Sequence, residues 1–291
     1  MNLTVFAQSS SETVDNSKFA SVDEIAIIRG IYPTEALTTD LDEVTKSKKF
    51  QIGELETHVA KVMYRIEGKF TQSENREMIA FVGVENPNSK STTGIYGLLF
   101  GLDQQAVPRL MAKSSKLQLK IEPFANKFWK PVVATDVDFD KCEEIIMLEG
   151  NTTSGAEKYT IFKWLGKDFQ QLEDLPLQTL LNFYAKLDAA ARLGTNDIGD
   201  TKLGEALDQL SEKMKSVQSM EGLRNRLKKA KSVEIDALKV MIRSSAGVLI
   251  RVEYHLVEPQ ESGPSRLQGD YQVKLFGSGW QVDSERLKVN D

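Results

Sequence analysis

The chain has 291 residues, 41% hydrophobic and 27% charged, with 8 Pro and 19 Gly, which excludes a fibrous or low-complexity class and leaves enough length for two domains with a sizeable core. A formal net charge of −5 excludes a role that rests on whole-protein attraction to nucleic acid or to an anionic membrane. A single cysteine, Cys142, and two distant histidines, His58 and His255, exclude an internal disulfide and the usual zinc cluster, so a structural metal here would be a hard ion with oxygen ligands.

The first residues, Met1 to Ser10, hold a short apolar piece, a small Ala7 at a cleavage-like point and a Ser-rich continuation. They read either as the end of a secretory signal or as a disordered N-terminus, since a basic start and a longer apolar core are missing. Residues 1–14 are set apart on this ground. No stretch approaches the roughly 20 apolar residues that cross a bilayer, so integral membrane association is not expected.

Residues 15–175 read as a mostly β module, propeller-blade-like or a sandwich. Its short apolar or alternating runs are Ile25 to Ile28, Ala60 to Ile66, Met78 to Val84, Gly94 to Phe100, Leu117 to Ile121, Pro131 to Ala134, Ile145 to Leu148 and Tyr159 to Trp164. Two stretches share one order of parts at a separation of about 65 residues. Gly68-Lys69-Phe70-Thr71 leads through a polar loop to Glu77-Met78-Ile79-Ala80-Phe81 and then Ile95 to Phe100; Asp136-Val137-Asp138-Phe139 leads to Glu144-Ile145-Ile146-Met147-Leu148 and then Tyr159 to Trp164. Such a repeat means hairpin units that pack on one another.

The second copy carries Asp136, Asp138, Asp140 and Glu144 at alternate positions just before an apolar run. Clustered carboxylates repel unless a cation or solvent intervenes, so the loop reads either as an oxygen-ligand calcium site or as a solvated turn whose aspartates bond their own backbone. With the tyrosine strand ending in Trp164-Leu165-Gly166-Lys167, the pattern resembles the FG-GAP (VCBS, integrin-like) repeat family. That resemblance implies calcium held by the side chains of Asp136, Asp138, Asp140 and Glu144 and by the carbonyl of Cys142. Two positions depart from the family: Lys141 stands where a glycine with positive φ is usual, and Phe139 replaces a small residue. The first copy has Lys69, Thr71, Ser73 and Glu77 at the matching places, a set that should not hold calcium.

Residues 176–291 read as an α+β module with helices packed on a curved antiparallel sheet. Leu177, Leu180, Leu181, Tyr184, Leu187 and Ala191 recur at helical steps up to a stop near Gly194. A loop to Thr201 follows, then a stripe of Leu203, Leu207, Leu210, Met214 and Val217, and a shorter helix through Leu223 and Leu227. After Ser232 the period becomes two, through Val240 and Ile242, Val248 to Leu256, Tyr271 to Leu275, and Trp280 with Val282; Pro259 to Gly269 is a polar connection and Gly277-Ser278-Gly279 a tight hairpin. The first helix, the Tyr271 strand and the closing Gly279-Trp280 strand resemble the SnoaL-like, nuclear-transport-factor-like (NTF-like) cone fold. Some proteins of that fold are isomerases or dehydratases, which makes Tyr184, Asp188, Tyr254 and His255 the residues a catalytic reading invokes.

His255 alternates out of phase with Val252, Tyr254 and Leu256 and is expected to face away from them. The basic cluster Arg224, Arg226, Lys228, Lys229 and Lys231 ends a helix, where cations meet the C-terminal dipole, or else contacts phosphate or an acidic partner. No phosphate loop, nucleophile elbow or dinucleotide fingerprint is present. The expectation is a non-catalytic exported binding protein, periplasmic or secreted, with a structural calcium loop and a protein, glycan or small-ligand partner but no nucleic acid. The alternatives are a cytoplasmic setting, and a small-molecule carrier or enzyme using a pocket in residues 176–291.

Overall fold

A computed structural model describes residues 18–31, 49–52, 56–86, 91–115, 127–151, 153–194, 196–258 and 265–289. The leading segment read as a signal remnant and the run Leu117 to Ile121 lie outside the described residues. Within them the chain is mostly antiparallel β-sheet with a few helices. The first sheet joins β1 (Lys49–Ile52), β2 (Glu56–Gly68), β3 (Glu77–Asn86), β4 (Ser91–Leu102) and β5 (Pro108–Lys113). The second joins β6 (Lys127–Thr135), β7 (Glu144–Asn151), β8 (Gly155–Trp164) and β9 (Phe169–Leu172). The third joins β10 (Ser232–Ser244), β11 (Gly247–Val257), β12 (Ser265–Phe276) and β13 (Gly279–Val289). Each is a meander in which every strand pairs with its chain neighbour.

Helix α1 (Glu24–Arg29) corrects the strand expected at Ile25 to Ile28. The Asp23 carboxylate caps it by accepting the Ala26 N–H at 2.6 Å, and Glu24 suits the positive end of the helix dipole. A four-residue apolar run carries no period, so the cap decides. Ile27, Ile28 and Ile31, with Phe19 and Val22, bury against Met78, Ala80, Val82, Leu98 and Phe100 of the first sheet. The opposite face of that sheet, with Ile79, Phe81, Ile95 and Leu99, packs on Trp129, Ile145, Met147 and Trp164 of the second sheet. Both faces of β3 are therefore covered, which is why Met78 to Val82 is an unbroken apolar run rather than an alternating one.

The other face of the second sheet, through Ile146, Leu148, Tyr159 and Ile161, meets helix α2 (Leu175–Leu193), and α2 in turn packs on the third sheet. Asp174 caps α2 by accepting the Leu177 N–H at 3.0 Å, and Gly194, with φ of 72°, ends it. Covered on two sides, the helix buries residues all round, including Leu180, Phe183, Tyr184, Leu187 and the run Ala189 to Ala191. One continuous apolar cluster thus runs from Val137 to Val282 and crosses residue 175.

Helix α3 (Asp197–Leu207) begins inside the expected loop, because the Asn196 side chain accepts the N–H groups of Ile198 and Gly199. The stripe Leu203 to Val217 is not one helix. Around Leu210 the chain leaves the helix to bond with β13, Ser211 N–H to the Val282 carbonyl at 2.9 Å and Val282 N–H to the Gln209 carbonyl at 2.9 Å. Only the short α4 (Glu212–Lys215) follows, and Val217 is 79% exposed. Helix α5 (Met220–Leu227) then buries Leu223 and Leu227. Strand β12 starts at Ser265, inside the expected polar connection, because Ser265 to Gly269 pair with Leu256 to Val252. In β11 each second residue is buried, so the third sheet turns one face to α2 and presents a polar face outward. No helix among the described residues is long and apolar enough to cross a membrane.

Candidate functional site

The acidic loop joins β6 to β7, closed by the pairing of Thr135 with Glu144. Inside it the Asp138 and Asp140 side chains accept backbone N–H groups two residues on, at 3.3 and 2.8 Å, and Asp136 Oδ2 accepts from Lys141 N at 3.0 Å. Phe139 and Lys141 adopt φ of 64° and 75°, the left-handed region that costs a residue with a Cβ about 1–2 kcal/mol. Lys141→Gly is expected to stabilise the fold by about 0.5–1 kcal/mol, once glycine's greater freedom in the unfolded chain is counted. The check is the urea midpoint at unchanged slope; a lower midpoint would mean that Lys141 makes a contact worth more than the strain.

Glu144 is fully buried at the start of β7, and its Oε2 accepts the Val137 N–H at 2.7 Å. Across β7 and β8 the last bonded pair is Ile145 with Phe162, so the next residues outward, Glu144 and Lys163, stand opposite one another. The Lys163 ammonium lies 2.6 Å from Asp138 Oδ2, 2.7 Å from Asp140 Oδ2 and 3.0 Å from Glu144 Oε1. Burial favours the neutral amine, but these three carboxylates outweigh it and hold Lys163 well above the ordinary lysine range. For Asp140, burial is likewise outweighed, by Lys163 and the Cys142 N–H, so it titrates below the usual carboxylate range.

Among the described residues, ligand atoms of Asp136, Asp138 and Glu144 come within 4.8 Å of one another, which is close enough to share a cation. The set does not fit calcium with Lys163 in place. Calcium takes 6–8 oxygens at about 2.3–2.6 Å, and two cations about 4 Å apart repel by on the order of 8 kcal/mol at an effective dielectric of 20. Cys142 is buried; its N–H goes to Asp140, and its sulfur accepts from Gln72 Nε2 at 3.2 Å. Burial raises its thiol, with the surrounding carboxylates outweighing Lys163, which disfavours the thiolate.

The first copy of the repeat is built on the same plan with other chemistry. Glu77 opens β3 as Glu144 opens β7, and it accepts from Phe70 N, Thr71 N and Thr71 Oγ1 at 2.9, 2.8 and 2.5 Å. The two loops interlock: Glu143 N donates to the Lys69 carbonyl at 2.5 Å, and Lys69 N donates to Glu143 Oε2 at 2.8 Å.

The second group of candidate residues is inside the layer between α2 and the third sheet. Tyr184 of α2 donates to the Tyr271 hydroxyl at 2.7 Å, and Tyr271 donates to Glu285 Oε1 at 2.7 Å. Arg226 of α5 forks onto the same carboxylate at 3.2 and 3.3 Å, and Gln218 Nε2 donates to it as well. Tyr254 packs edge-on to Tyr184 with ring centres 5.1 Å apart. Burial pushes all three phenols up, Tyr184 and Tyr271 far above the ordinary range. Asp188 is elsewhere on α2 and is saturated: it accepts Ala156 N at 2.8 Å, Val233 N at 2.9 Å and Arg192 Nε at 3.0 Å. His255 faces outward, as its phase requires, with Nδ1 2.9 Å from Asp236. The basic cluster is divided: Arg226 turns inward to Glu285, and Arg224 pairs with Asp200 at 2.9 Å.

Two clefts open beside α2. One of about 110 Å³ lies between Tyr159, Asp188, Arg192 and Ile235, and one of about 180 Å³ between Ala190, Leu203, Arg224 and Leu227. Both fall below the roughly 300–1,000 Å³ of ordinary ligand pockets, and neither is lined by Tyr184, Tyr254 or Tyr271.

No protein-family model matches the sequence, and no curated protein matches it. Among solved structures the chain is similar to one described as "Ntf2 like protein involved in plasmid conjugation", with 13% identity, 80% of each chain covered and a TM-score of 0.28.

Proposed function

We propose that this chain is a non-catalytic binding protein whose surface, rather than an internal pocket, meets its partner. The observation that carries the reading is the state of four of the polar groups packed around α2. The Tyr184 and Tyr271 hydroxyls and the Glu285 carboxylate are bonded to one another, and Asp188 is bonded to three donors. A general acid or base needs a substrate proton within hydrogen-bond reach, and these groups spend that reach on the fold.

Alkaline titration of tyrosine absorbance tests the reading. Of the seven tyrosines, Tyr159, Tyr184, Tyr254 and Tyr271 are expected to stay un-ionised until the protein unfolds, because burial raises all four. Ionisation of Tyr184 and Tyr271 near pH 10, about the value for a free phenol, in protein still folded by circular dichroism would show an open, wet cone and return the chain to the enzymes and carriers.

A further inference from the structure

We infer that the Lys163 ammonium is the resident cation of the acidic loop: it bridges Asp138, Asp140 and Glu144, of which Asp138 and Glu144 belong to the carboxylate group that could share a divalent ion, and the native chain closes this loop without metal. The first support is geometric, since one Nζ lies within 3.0 Å of an oxygen from each of the three carboxylates. The second is an internal comparison. In the first copy of the repeat the loop carries Lys69, Thr71 and Ser73 where the second has Asp136, Asp138 and Asp140. There Glu77 is satisfied by loop N–H groups and the Thr71 hydroxyl. The register that puts Lys163 opposite Glu144 puts Gly101, one step beyond the Met78–Phe100 pair, opposite Glu77. The lysine is present where the loop is acidic and absent where it is not.

A fixed ammonium differs from calcium in consequence. It cannot leave when free calcium falls, so under this inference the loop is not a calcium sensor and its closure does not follow metal supply. Taking the lysine away leaves Asp138 and Glu144, with Asp136 beside them, as carboxylates gathered on one turn, the kind of oxygen donor that calcium takes.

The test is titration of calcium chloride into the full chain, by calorimetry and by thermal unfolding, for the wild type, Lys163→Met and Lys163→Arg. The wild type and Lys163→Arg are expected to give no binding heat and the same midpoint in millimolar calcium as in chelator. Lys163→Met is expected to bind calcium and to gain roughly 3–6 °C at saturation. Should Lys163→Met not fold in chelator, refolding it with calcium present is the second measurement, and recovery there supports the inference. Saturable calcium binding by the wild type would overturn it, and so would a Lys163→Met protein that folds as well as the wild type yet ignores calcium, or that refolds no better with calcium than without.

Discussion

Asp188→Ala is expected to cost about 3–5 kcal/mol of folding stability, a large share of the roughly 5–15 kcal/mol a protein of ordinary stability has. Asp188 is buried on α2 and holds both neighbouring sheets at once, through Ala156 at the start of β8 and Val233 at the start of β10. Alanine leaves two buried main-chain N–H groups without acceptors, each costing about 1–3 kcal/mol. Arg192 adds little, because its side chain is exposed enough to be rehydrated. The approach is made possible by Gly155, whose φ is 81° and where a Cβ would stand 2.6 Å from Asp188 Oδ2. Urea denaturation checks the loss. Asp188→Asn keeps one acceptor and should lose about half as much; an alanine variant within about 1 kcal/mol of the wild type would mean that water or a shifted side chain serves those N–H groups.

The second large effect is expected at Glu285. Its carboxylate is the common acceptor for Tyr271, Arg226 and Gln218, and Glu285→Ala should cost about 3–4 kcal/mol, because it strands a partly buried guanidinium and a phenol hydroxyl. The cost belongs to the unpaired charge more than to the lost bond. The pair replacement Arg226→Met with Glu285→Met should therefore recover most of the loss, since exchanging a buried ion pair for apolar groups of similar volume is often neutral. A double variant as unstable as Glu285→Ala alone would show that the network is needed to position Tyr271 and Tyr184, and that hydration of Arg226 is not the issue.

The sequence discloses one half of each ion pair more readily than the other. Asp136, Asp138, Asp140 and Glu144 announce themselves by spacing, whereas Lys163 sits in a later strand, and only the β7–β8 register brings it opposite Glu144. The positive φ at Lys141 has no signature in the residue itself, since lysine disfavours it; it follows from the tight turn that the loop makes between β6 and β7. Tyr184 and Asp188 were legible as helical residues of interest, but not their saturation, since Tyr271 is 87 residues from Tyr184 and the two meet through packing. The strands of the third sheet alternate and could be read from their period. Helix α1 could not, because its apolar run is too short to display one and Asp23 outweighs the β-branched residues after it.

The meander order of all three sheets bears on how the chain reaches this state. Among the described residues each strand pairs within its sheet with the strand before and the strand after it, so every ladder can zip from its own turn with little loop-closure entropy. The long-range contacts are left to the stacking of finished layers, and α2, chained directly between the second and third sheets, is the piece on which the last two must condense. The expectation is that docking of preformed sheets onto α2 limits folding, so that substitutions on the faces of α2 slow refolding more than substitutions in the hairpin turns, which stopped-flow refolding rates would check.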